Sequence, residues 1–481
     1  MGRSLLFLVG LTGCAQLAGI DETSGTGRAG VSLSFERVSV GASVSRAPLD
    51  LTGRTATFLV PDAADPTGLA RVAATQDGVD RWTAEIFDAT PSVVFDLPDF
   101  PDPLTRMLAF DSRDLLGDFV VLEHPNATPA PDAASLTVQV ALDTPYNGEG
   151  LQIFTLGSWN QRGLEAPVLG AGAIGPLTFA MTSMTSLTGR PHEAITSADS
   201  VVVLRYIGNQ LNGALEATPF DQTGNDMITG TINPVPADRM LDIRVNQAQA
   251  VTRYSTARPA VTNISFSWAL RAAPGADLNV DLGPLLNAAT VGTDPQTITA
   301  MYGNPFAAKW KTILTWSTSA SRSVVPTGQT LPIGLSAQMF QREVEPGAGA
   351  MLDLPAGFPQ LITIGTTPLS ADNTTIPVPT SAVEVSFVTD RPTNTFYQAQ
   401  LFEIVPNADA TALVLKPVVF ASAAEPKFVF PPELFQPGKT YTIRAVSVVG
   451  GFPNAAAGDL RTRAMPFALS LLDSGVFQVM P

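Results

Sequence analysis

The stretch Val31–Val40, VSLSFERVSV, sets the fold class. Val31, Leu33 and Phe35 alternate with Ser32, Ser34 and Glu36, the period of two expected of a strand with one face in a core and the other in water. Runs of the same kind follow: TATFLV (55–60), RWTAEIFDA (81–89), SVVFDLP (92–98), RMLAF (106–110) and DFVVLEHP (118–125), each short and bounded by Gly, Pro or Asp. Short strands at this spacing predict an antiparallel β-sandwich over 31–125. The stretch HPNATPAPDAAS (124–135), with Pro125, Pro129 and Pro131, predicts a stiff linker after it.

The β signal continues through LTVQVAL (136–142), LQIFTL (151–156), SVVVLRYIG (200–208), TNISFSWAL (262–270), TITAMYG (297–303) and LPIGLSAQMF (331–340). Only MLDIRVNQAQAVTRY (240–254) scores equally well as strand or helix. The whole of 136–372 is therefore expected to be β-rich, as one domain or two. No fixed-period repeat of the solenoid or propeller kind is present.

After the polar SADNTTIPVPTS (370–381), the strand-like runs AVEVSFVTD (382–390), FYQAQLFEIV (396–405), KFVF (427–430) and TYTIRAVSVV (440–449) predict a further sandwich over 376–481. Within LFQPGKTYTIRAVSV (434–448), the residues Leu434, Pro437, Gly438, Thr440, Tyr441, Ile443 and Ala445 fall on a pattern that resembles fibronectin type III domains. The resemblance implies an independently folding Ig-like sandwich in which Tyr441 is the corner tyrosine, its hydroxyl bonded to upstream backbone. The chain as a whole then reads as all-β and multidomain, built of antiparallel Ig-like and fibronectin III-like sandwiches.

At the other end, MGRSLLFLVGLTGC (1–14) places one cation, Arg3, before the apolar run 5–11, with Thr12 and Gly13 just before Cys14, the only cysteine among 481 residues. This is the layout of an export signal peptide, and its apolar run is far shorter than the roughly 20 residues that span a bilayer. The residues Leu11, Thr12, Gly13 and Cys14 resemble the lipobox of bacterial lipoproteins. That resemblance implies cleavage before Cys14, diacylglycerol on its sulfur and acylation of the new amino terminus, with palmitate the expected chain. Ala15, where an Asp would signal inner-membrane retention, implies outer-membrane sorting. A lipid anchor at Cys14 is physically sufficient, since each buried CH₂ contributes about 0.8 kcal/mol and two or more chains hold stably. The polar ETSGTGRAG within 14–30 then reads as a flexible tether.

Composition narrows the chemistry. The formal charge of −15 argues against a nucleic-acid partner, because phosphate binding relies on Lys and Arg. Of the 28 cationic residues only five are Lys, a bias that reads as coding composition rather than chemistry. A single Cys excludes an intrachain disulfide framework, and His124 and His192 are the only histidines. HEAIT at His192 lacks the second His of a zincin helix. GAGAIG (170–175) matches G-x-G-x-x-G, but Pro176 and LTFAM follow it with a strand pattern where a dinucleotide site needs a helix. No G-x-S-x-G elbow occurs.

Two weaker candidates remain. FDQTGND offers Asp221, Asn225 and Asp226 as oxygen ligands for calcium around Gly224. It lacks the spaced acids and terminal Glu of an EF-hand, so a solvated turn is the expectation and no metal or cofactor is assigned. In KWKTILTW (309–316), Trp310, Thr312, Leu314 and Trp316 share one face of the predicted strand. Exposed, the two tryptophans could stack on sugar rings; buried, they are core, which is the expectation for Trp. These observations lead to a lipid-anchored envelope protein that binds, adheres or serves as structure without catalysis. Its partners would be the membrane through Cys14 and an envelope protein or polysaccharide. The competing reading is an envelope enzyme acting on glycans through paired carboxylates in 136–372.

Overall fold

The structure, a computed structural model, describes residues 30–480 except 42–43, 87–90, 97–104, 123–127, 132–133, 143–149, 165–167, 170–172, 175–176, 188–191, 259–261, 276–277, 279, 291–295, 345–347, 353, 392–393 and 462. The leader, Cys14, the tether and His124 lie outside the described residues.

The fold is all-β, with four sheets of 24, five, four and three strands and one α-helix among the described residues. Val31–Val40 is a strand, as its alternation predicts, but an interior one, and the expected wet face is corrected: none of its residues is exposed, and Ser32 and Ser39 are buried with the apolar side chains because both faces meet a core. It pairs in parallel with Asp114–Leu122 on one side and antiparallel with Arg81–Ala84 and Val44–Pro48 on the other. Parallel pairing also joins Ser135–Leu142 to Asn225–Pro234 and Thr374–Ile376 to Phe477–Val479, within a mostly antiparallel architecture.

Hydrogen-bonded ladders cross both expected domain boundaries. Thr105–Ala109 pairs in parallel with 419–423 of the strand Leu413–Ala423, so the edge of the C-terminal module is covered by an N-terminal strand. From Leu413–Ala423 the sheet runs through Phe396–Pro406, Thr440–Gly451 and Ala464–Asp473 to Ile333–Val344, then to Lys311–Val324 and Thr262–Ala273. One apolar core accordingly holds Leu33, Phe35, Trp82, Phe95 and Leu108 together with Phe396, Val446, Val448 and Leu469. The two expected sandwiches, 31–125 and 376–481, therefore share a strand ladder and a core. An open strand edge with buried side chains needs a partner, and here each segment supplies the other's.

The middle region contains a core of its own drawn entirely from 134–232, and a small cluster of Ala273, Ile313 and Val344. The strands Gly150–Leu156 and Ser200–Ile207 bury alternate side chains in the former and the remainder in the largest core, to which Phe154, Leu156, Val202, Leu204 and Tyr206 belong. Burial on both faces explains why VVVL reads as a continuous apolar run without alternation.

The ambiguous stretch at 240–254 is both of its alternatives. Arg239–Val245 is a strand and Gln247–Ala257 the helix, divided at Asn246, whose side-chain oxygen accepts from the Gln249 amide at 3.0 Å as an N-cap. Gln247, Ala250, Arg253 and Tyr254 form its buried face.

Tyr441 is fully buried between Phe435 and Phe477, with ring centroids at 6.1 and 5.8 Å. Its hydroxyl accepts from the Gln436 backbone N–H at 3.0 Å, and burial pushes its titration above the ordinary tyrosine value. Tyr441→Phe removes that acceptor, so a loss of about 1 kcal/mol is expected, rising to about 3 if the amide finds no water. The shift in urea midpoint measures it; an unchanged midpoint would show that the bond contributes nothing.

Candidate functional site

The polar chemistry of this body is concentrated in arginine–carboxylate clasps. Arg253, projecting from the buried helix face, donates from Nε to Asp390 Oδ2 at 2.6 Å and from Nη2 to Asp390 Oδ1 at 2.7 Å. It also donates to the carbonyls of Leu354 at 2.8 Å and Ala356 at 2.5 Å, and Asp390 accepts the Phe358 N–H at 2.7 Å. Arg322 grips Asp372 through both terminal nitrogens, and Asp372 accepts from the Val476 amide at 3.3 Å. Arg342 reaches Asp281 at 2.8 Å, and Arg444 holds Asp473 at 2.7 and 3.1 Å while that carboxylate accepts the Ser336 N–H. Arg258 donates to the carbonyls of Leu369 and Ser370. Burial, with Arg322 nearby, lowers its titration to about 10, so it stays cationic at neutral pH.

Asp281 and Asp372 of the middle region, and Asp390 beyond it, are spent on fastening loops. Glu343 is the carboxylate among the described residues that burial pushes upward. Among those residues no group of three or more His, Cys, Asp or Glu side chains converges as a metal site.

The proposed calcium ligands are turned to separate tasks. Asp221 accepts from the Ser197 N–H at 2.7 Å, Asn225 from the Ser135 hydroxyl at 2.6 Å, and Asp226 from the Thr223 and Gly224 amides of its own turn. This is the Asx-rich turn the sequence suggests. Half-buried His192 bonds through Nδ1 with Asn160 Oδ1 at 2.8 Å, and Asn160 is itself fully buried. In GAGAIG, Ala173–Ile174 is a strand paired with Val168–Leu169; the rest of that motif lies outside the described residues.

The tryptophan pair separates. Lys311–Val324 is the strand, so Trp310 falls in the preceding turn, where it packs on Phe306 at 4.5 Å between rings. Trp316 is fully buried and stacked by Phe266 at 6.1 Å with a 17° interplanar angle. The ligand-stacking role for Trp316 is therefore corrected to core, because its ring has no face open to a sugar.

A surface that the sequence reading passed over is the outer face of the three-stranded sheet formed by Gln296–Tyr302, Arg239–Val245 and Ala350–Leu352. It exposes Met240 and its cross-strand partner Met301, and also Met351, while Leu241, Ile243 and Val245 point inward. Methionine is an adaptable contact residue. The signal was available: Met240 occupies a polar phase of the alternation in RMLDIRV. Beneath the N-terminal strands, Arg106, Gln398, Gln400 and Ser422 line a cavity of about 10 Å³, the size of one water. No helix among the described residues is long and apolar enough to cross a membrane.

No protein-family model matches this chain, and no curated protein matches it. Among solved structures it is similar to a protein described as a candidate cell adhesion protein from Parabacteroides distasonis. That match has 10% identity and a TM-score of 0.15, covering 61% of this chain and 100% of the other. It is also similar to a streptococcal ancillary pilin, at 7% identity and a TM-score of 0.13, covering 67% of this chain and 98% of the pilin. Similarity at this level leaves the all-β assignment resting on the strand ladders themselves.

Proposed function

We propose that this protein is a bacterial envelope lipoprotein, held by lipid on Cys14, whose all-β body works by contact as a binding, adhesion or structural component. The observation that carries the anchor is the LTGC run at 11–14 behind a charged, apolar leader, with a small, polar stretch leading to the first strand at Val31. The contact reading is supported by the commitment of Asp281 and Asp372 in the middle region, and of Asp390 and Asp473 beyond it, to arginine clasps. For 376–481, the fibronectin type III-like reading is supported by the Tyr441 bond to upstream backbone.

Intact mass of the detergent-extracted protein should begin at Cys14 and carry diacylglycerol and an acyl chain. Cys14→Ser should leave the precursor unprocessed and shift the body out of the membrane fraction. Wild-type protein still starting at Met1 without added mass would end the anchor assignment. In parallel, the body is expected to bind envelope protein or polysaccharide saturably without forming product. Turnover of a glycan substrate would favour the enzyme reading instead.

A further inference from the structure

We infer that the strand Val31–Val40 is a mechanical lock: tension arriving along the tether is taken as shear by an interior strand and passed into both large cores, so this strand cannot be drawn out alone. The inference rests on the tethered reading above and adds how the body withstands load.

The first strand after a tether is the one that tension reaches. An edge strand pulled sideways opens one rung at a time, whereas an interior strand pulled along its axis strains all its rungs together. Here nine consecutive residues, Ser32 to Val40, pair in register with Asp114 to Leu122. On the opposite side, 31–34 pair with Arg81–Ala84 and 36–40 with Val44–Pro48, so the strand is paired on both sides nearly throughout.

Side chains fasten it along the same length. At its start, the Ser32 hydroxyl donates to Asp114 Oδ1 at 2.6 Å and the Ser32 amide to the Arg113 carbonyl at 2.7 Å. At its middle, Glu36 accepts from Arg461 at 3.1 Å and from Arg46 at 3.4 Å. Phe35 lies so close over Gly117 that a Cβ there would meet its ring at 2.4 Å, which bars any residue but glycine without a shift. At its end, the indole N–H of Trp159 donates to the Val40 carbonyl.

The strand also spans two cores, Val31, Leu33 and Phe35 in one and Val38 and Val40 in the other. Its parallel neighbour is secured in turn: the Leu116 amide donates to the Gly458 carbonyl, and the Leu460 amide to the Leu116 carbonyl. Load therefore continues into the segment between Thr440–Gly451 and Ala464–Asp473, which belong to the large sheet.

Single-molecule pulling on a chain of residues 30–480, held at its two ends, tests this. The first rupture is expected to free the whole of 31–122 or more, an extension of about 300 Å or greater at roughly 3.4 Å per residue. A smaller first step, such as the roughly 35 Å released when one ten-residue strand slips out, would overturn the lock. Hydrogen exchange on the unmodified protein gives a second reading. Amides 32–40 should exchange as slowly as those of Thr440–Gly451, and faster exchange would count against the inference. Absence of lipid on Cys14 would remove the tether but leave both measurements intact, so the two ideas fail separately.

Discussion

Arg253→Met is expected to destabilise the protein by about 3–5 kcal/mol, the range for breaking a buried ion pair by deleting one partner. The guanidinium is the common donor to Asp390, Leu354 and Ala356, groups more than a hundred residues away along the chain. Its removal leaves the carbonyls at 354 and 356 without that donor. It also leaves Asp390 with the Phe358 amide but no counter-cation. The carboxylate side chain keeps 22% of its surface exposed, so water recovers part of its solvation and the lower half of the range is favoured. Removing both charges, Arg253→Met with Asp390→Leu, should restore part of the loss, because no uncompensated carboxylate then remains. Urea midpoints of the two variants and the parent measure this. A single variant matching the parent, or a double variant less stable than Arg253→Met alone, would show that the clasp does not fasten these loops.

The clasps were invisible to sequence reading for a physical reason. Arg253 and Asp390 are 137 residues apart, Arg461 and Glu36 are 425 apart, and no local spacing announces either pair. The excess of Arg over Lys, read as coding bias, was nevertheless the material from which bidentate contacts are made, since the planar fork of Arg matches a carboxylate as Lys does not.

Strands, by contrast, were legible wherever one face is wet. SAQMF within LPIGLSAQMF shows its period plainly, with Ala337 and Met339 buried and Ser336 exposed, whereas VSLSFERVSV alternates in sequence although no residue of it is exposed. The alternation says which side chains go inside, but not which strand lies alongside. That is why Thr105–Ala109 could be predicted as β without any hint that its neighbour is 419–423, more than 300 residues on. Trp316 is the strand residue its alternation suggests, whereas Trp310, expected on the same strand, lies in the turn before it, because the strand starts one residue after Trp310.

Excised from the chain, residues 376–480 are expected not to fold cooperatively. Each strand ladder that crosses the cut is lost. Leu413–Ala423 loses Thr105–Ala109, and Ala464–Asp473 loses six register pairs with Ile333–Val344. Val383–Thr389 loses Pro359–Ile364. The apolar losses decide the matter. Phe396, Val446, Val448, Leu469 and Leu471 share their core with side chains from before residue 125, among them Phe95 and Leu108. At about 1.5–3 kcal/mol for each large apolar side chain returned to water, even partial exposure of these five is on the order of 5–10 kcal/mol. That rivals the roughly 5–15 kcal/mol by which native domains are stable at all. Polar anchors go too, since Ser470 donates to the Ala356 carbonyl and Asp473 accepts the Ser336 amide. The corner at Tyr441 survives the cut, because Phe435, Gln436 and Phe477 all lie inside the segment, so local structure there is no test of autonomy. Near-ultraviolet circular dichroism through a urea titration is the test, with the 30–480 chain as the reference that should melt cooperatively. A sharp transition in the isolated segment would make it a module that merely leans on its neighbours, and would restore the independent sandwich implied by the fibronectin-like corner. A broad, featureless titration would mean that the corner was kept while the edges of the sandwich were given over to the rest of the chain.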